Sequence, residues 1–110
     1  MFDDGDILIL HLTSGQDLVA KLIGQEEGGL LIEAPTYLMV REDKKTGDIS
    51  VGYSRYLTCG DVLPPITHML MPYHAIVLPR KAPERIAQGY IRATSGIQIA
   101  KTLPPAIQRV

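Results

Sequence analysis

Ile7-Leu8-Ile9-Leu10-His11-Leu12-Thr13-Ser14-Gly15-Gln16-Asp17-Leu18-Val19-Ala20-Lys21-Leu22-Ile23 is the stretch that decides the fold. Two short apolar runs flank Thr13-Ser14-Gly15-Gln16, a turn in which Gly15 can take a positive φ without steric cost. In the second run Leu18, Ala20 and Leu22 share one face, while Asp17, Val19, Lys21 and Ile23 share the other. That period of two belongs to a half-buried strand, so the stretch reads as an antiparallel hairpin.

The same pattern continues outward. Gln25-Glu26-Glu27-Gly28-Gly29 is a second turn, and a third strand runs from Leu30 to about Glu42. Pro35 interrupts it and, lacking an N–H, marks a bend or an edge position. Lys44-Lys45-Thr46-Gly47-Asp48 is a third turn, followed by a fourth strand from Ile49 to Tyr56. There Ile49, Val51 and Tyr53 alternate with Ser50, Gly52 and Ser54, completing a four-stranded meander. Leu57 to Pro65 reads as an irregular connector, punctuated by Cys59-Gly60-Asp61 and Pro64-Pro65. Leu70 to Leu78 reads as a fifth strand, weakened by Pro72 and closed by Pro79. A helix is expected over about 83–95, with Pro83 in its first turn and Ile86, Tyr90, Ala93 and Thr94 on one stripe. Gly96 suits its end, and a tail over 97–110 carries Leu103-Pro104-Pro105.

With 110 residues, the chain is read as a single domain, 1–110. Apolar residues make up 45% of it, enough for a core, although a domain this small gains stability by association. A net charge of −1 excludes the strongly basic class of nucleic-acid binder but leaves room for a local patch. The lone Cys59 cannot form an internal disulfide, which suits a reducing compartment. Met1-Phe2-Asp3-Asp4 is acidic where a signal peptide is basic, and no apolar run reaches the roughly 20 residues of a membrane span. The expectation is a soluble, cytoplasmic protein.

Catalytic chemistry has thin support. His11, His68 and His74 are the histidines; Cys59 and His68 share a connector, but a small apolar cysteine is ordinarily inert. His68 and His74 lack the partner ligands of a zinc site. Gly28-Gly29 leads into a strand behind Glu26-Glu27, so it makes no phosphate cradle. No cofactor is expected. A cluster of cations and aromatics does remain, formed by Arg41, Lys44, Lys45, Tyr53, Arg55 and Tyr56, and it could follow a phosphate backbone and stack bases. The plainer alternative is a solvated hairpin tip whose charges deter edge pairing. Arg80, Lys81 and Arg85 cluster where the helix starts, against its dipole.

Five bent strands over about 6–78 suggest a small open barrel. Within that class the first three strands resemble the Sm1 motif of the Sm-like family (the LSm and Hfq type). Gly15 sits in the first turn, Ala20 stands where glycine is common, and Leu22-Ile23-Gly24-Gln25-Glu26 leads into an acidic loop. Taken whole, and through Gln88-Gly89-Tyr90-Ile91-Arg92-Ala93-Thr94-Ser95-Gly96-Ile97 most of all, the chain resembles Sm-like proteins ascribed to cyanophages in marine samples.

The resemblance implies a mainly β, five-stranded, strongly bent antiparallel open barrel with a C-terminal helix. It also implies a non-enzymatic homo-oligomeric ring of about five to seven subunits that binds RNA or other single-stranded nucleic acid. Strand four of one copy would meet strand five of the next, through Ile49 and Val51 on one side and Ala75, Ile76, Val77 and Leu78 on the other. The departures are specific. Glu26, Gly28 and Gly29 occupy the loop where the family holds a base with Asp, an aromatic platform and Asn. The family's Arg-Gly step gives way to the 57–70 connector, and its helix ordinarily precedes the barrel. The alternative function is a phage structural or assembly adaptor, a ring with a protein partner in the infected host cell.

Overall fold

The computed structural model describes residues 2–58 and 62–102, with helical side chains described as far as Ser95. Alternation builds the meander as its pattern requires: β1 (Ile7–Leu12), β2 (Asp17–Gln25), β3 (Gly29–Glu42) and β4 (Ile49–Arg55). Gly15 takes φ +90° in the first turn, as expected of that residue. Then come β5 (His68–Pro72), a 3₁₀ turn (Tyr73–Ala75), β6 (Ile76–Lys81) and the helix α1 (Glu84–Thr102). The result is a six-stranded antiparallel open sheet in the order β4-β3-β2-β1-β6, with β5 beside β3.

Three expectations are corrected. The single strand from Leu70 to Leu78 is two strands, because the chain turns at Pro72 (φ −66°) into the 3₁₀ turn and changes neighbours. β5 pairs with β3, through Leu30 opposite Met71, and β6 pairs with β1, through Leu10 opposite Pro79. Six strands therefore replace five, and in place of the expected strongly bent barrel they form an open sheet, neither closed nor strongly curled, whose two end strands do not pair. Pro79 does not end its strand, since β6 is an edge strand and one side of it has no ladder to supply. The helix, in turn, does not stop near residue 95 but runs through Gly96 to Thr102. Cys59-Gly60-Asp61 and Leu103-Pro104-Pro105 lie outside the described residues.

One face of the sheet carries the core: Leu8, Leu10, Leu12, Leu18, Ala20, Leu22, Leu30, Ile32 and Met71 are buried together. Phe2, Tyr37, Tyr56, Met69, Ala75 and Ile76 pack around them. Val19, expected on the polar face of β2, is buried as well, because α1 crosses that second face. The helix approaches so closely at Gly89 that an added Cβ would overlap the Tyr53 ring and hydroxyl, so a larger residue there requires Tyr53 to move. Tyr90, the next residue, is buried and donates to the Glu33 carbonyl at 2.7 Å.

β3 bends where Pro35 suggested it would. Ala34 takes φ +51°, an unusual conformation for a residue with a Cβ, and the β2 register shifts at this point. The ladder beyond the bend is nevertheless continuous on the other side of β3. Tyr56 N–H donates to the Pro35 carbonyl (3.2 Å), and Ala34 N–H donates to the Thr67 carbonyl (2.8 Å). β4 and β5 thus behave as one strand, interrupted by an excursion over 57–66.

Candidate nucleic-acid interface and subunit edges

β3 is longer than its first neighbour. Its last rung with β2 is Tyr37 opposite Leu18, whereas its rungs with β4 continue to Glu42 opposite Ile49. Residues 38–53 therefore project as a two-stranded arm. The arm leaves Met39, Val40 and Ile49 exposed, at 46%, 59% and 51% of their full surface. A two-stranded ribbon is marginal alone in water, so an exposed apolar arm is a surface that gains from being covered.

Arg41, Lys44 and Lys45 all stand exposed on this arm, so the structure brings these three cations together. Glu42, Asp43 and Asp48 are interleaved with them and balance their charge. Asp43 also shapes the tip: its carboxylate accepts from Lys45 N–H at 2.9 Å. The other three members of the expected cluster are placed differently. Tyr53 is half-buried against α1, and its hydroxyl donates to the Ile86 carbonyl at 3.3 Å. Tyr56 packs edge-on against Tyr37, ring centroids 5.0 Å apart, and burial with the nearby Tyr37 raises its phenol pKa. Arg55 lies at the far end of β4, half-buried, with its Nε lacking a partner among the described residues.

β4 and β6 occupy opposite ends of the strand order, so each has an outer edge that no strand pairs among the described residues, although on β4 the Arg85 guanidinium donates to the Ile49 carbonyl at 3.2 Å. On β4, Ile49 is exposed and Val51 half-buried. On β6, Val77 and Leu78 are 66% and 49% exposed, while Ile76, and Ala75 in the 3₁₀ turn before it, turn inward onto the core. The two edges are therefore apolar and open, and they belong to different ends of one molecule.

Two arrangements carry no signal in the sequence pattern. His11 Nδ1 lies 2.6 Å from Asp17 Oδ1 across the first rung of the hairpin, which pins the start of β2. Gln16-Asp17, Tyr37 and Ser54, from three separate parts of the sequence, meet at the base of the arm. Among the described residues no group of three or more His, Cys, Asp or Glu could hold a metal ion. No helix among them is long and apolar enough to cross a membrane. The chain matches no protein-family model, and no curated protein matches it.

Proposed function

We propose that the protein is a non-enzymatic, ring-forming Sm-like module that binds single-stranded nucleic acid, RNA above all. The observation that carries the reading is the pair of unpartnered apolar edges, β4 at one end of the sheet and β6 at the other. A head-to-tail joint uses each edge once, and repetition by rotation closes a ring.

Light scattering of the purified protein should show one discrete oligomer. A monomer at micromolar concentration overturns the ring. Nucleic acid would be held by Arg41, Lys44 and Lys45 through phosphates, and three such contacts imply a log–log salt slope of about −2. Filter binding at low salt with RNA oligonucleotides tests this, and no retention defeats it.

A second reading has an observation of its own. The carboxylates that balance the arm's cations, beside exposed Met39, Val40 and Ile49, favour a protein partner, as in a phage assembly adaptor. Recovery of virion proteins without RNA on the tagged ring in infected lysate would select it.

A further inference from the structure

The alternation of an antiparallel ladder decides which backbone groups the two outer edges present. On β4, Tyr56 N–H donates to the Pro35 carbonyl and Asp43 N–H to the Asp48 carbonyl, so the rungs bonded to β3 fall on Asp48, Ser50, Gly52, Ser54 and Tyr56. Ile49, Val51, Tyr53 and Arg55 therefore turn their N–H and C=O groups outward. On β6, Ala82 N–H donates to the Ile7 carbonyl, so Arg80 and Leu78 bond to β1 while Pro79 and Lys81 face outward. A proline is tolerated at 79 because its nitrogen points away from β1.

Each edge has one irregular position. Pro79 offers a carbonyl but no N–H, so a residue paired with it in a joint receives no hydrogen bond in return. On β4 the outward Ile49 carbonyl already has a donor from within the chain, the Arg85 guanidinium at 3.2 Å. Arg85 is exposed in the first turn of α1, where a cation works against the helix dipole. The helix gives no reason for that arginine; the strand edge does.

We infer that the two irregular positions are partners: β6 of a second copy pairs antiparallel with β4, its Pro79 opposite Ile49, and Arg85 supplies the hydrogen bond that the proline cannot. Ile49 N–H then donates to the incoming Pro79 carbonyl while its own carbonyl stays with Arg85, so neither group is left bare on burial. A slip of two residues along β4 breaks this. Pro79 opposite Val51 leaves the Val51 carbonyl without a donor, while Lys81 N–H and Arg85 compete for that of Ile49. The same register sets the incoming Arg80 opposite Asp48, an exposed carboxylate at the tip of the arm, and brings the exposed Val77 toward Val51. This inference rests on the ring reading above and names the register of its joint and the side chain that completes it.

The test is sedimentation velocity over a dilution series, which gives the concentration at which the oligomer is half dissociated, for the wild type, Arg85→Ala, Pro79→Ala and the double variant. Arg85→Ala should raise that concentration at least about fivefold, the effect of burying a carbonyl without a donor. Pro79→Ala returns an N–H to the joint, so the double variant should lie within about twofold of the wild type. An Arg85→Ala protein that assembles as tightly as the wild type, or a loss that Pro79→Ala does not repair, overturns the register and leaves the ring standing. A wild-type chain that stays monomeric overturns both.

Discussion

Between Gly29 and Tyr37, β3 has neighbours on both sides, β2 on one and β5 then β4 on the other; between 38 and 42 it has β4 alone. Both halves carry an apolar run, Leu30-Leu31-Ile32 in the inner and Leu38-Met39-Val40 in the outer, yet Ile32 is shut away while Met39 and Val40 face water. Side-chain pattern sets which face a residue takes, and the number of neighbouring strands sets whether that face is dry. The inner half is where the fold is stabilised. The outer half is where it has surface to offer.

Four changes probe that contrast, in descending size. Ile32→Ala should cost about 2–5 kcal/mol in denaturant unfolding, the loss of buried volume plus an unfilled cavity. A cost near that of an exposed site would mean that the inner half is not the core. Gly89→Ala should cost about 1–3 kcal/mol, because the new Cβ collides with Tyr53 and lifts α1 from the sheet. Combining it with Tyr53→Leu should cost less than the two single changes together, since the collision is then gone.

Tyr90 supplies the third. Burial above all, with the nearby Glu33 carboxylate adding to it, pushes its phenol up to about 12; a backbone hydrogen bond at Lys21 and the Arg55 cation oppose the rise. The folded chain then keeps a proton that the unfolded chain releases near about pH 10, so this stability is full below pH 10 and lost as pH rises toward 12. Tyr56, also raised, acts in the same direction. Tyr90→Phe should flatten that alkaline limb in a pH series of unfolding curves, while losing about 0.5–1.5 kcal/mol of the hydrogen bond to Glu33 at neutral pH. Last, Val40→Ala on the arm should change monomer stability by less than about 0.5 kcal/mol. If it instead weakens the oligomer seen by light scattering, the arm is covered in the assembly.

The meander was legible because strands paired on one buried face must alternate, and β1 to β4 fall within two residues of the expected bounds. The division at Tyr73–Ala75 was not, since a 3₁₀ turn between two strands keeps the apolar content of one long strand; Pro72 was its only trace. Alternation alone puts Val19 on the wet face, because nothing local to β2 announces a helix arriving from far downstream. Gly89 had a faint signal, a glycine inside a helix that would be better served by alanine, and Tyr53 explains it. Of the site, the cations Arg41, Lys44 and Lys45 were readable as neighbours in one hairpin. The meeting at the base of the arm was not, because Gln16, Tyr37 and Ser54 become neighbours only through the register of three strands.

The excursion over 57–66 leaves β3 at Pro35 and returns to it at the adjacent Ala34. Residues Tyr56 and Thr67 thus hold consecutive rungs, and a chain with those two residues joined directly would keep the same ladder. The segment between them is a graft site. Thr58 within it is buried and bonded to the Arg55 carbonyl, so a replacement that keeps Thr58 should leave the ladder in place. Successive lineages, or a protein engineer, could display a new recognition element from that spot on an unaltered sheet.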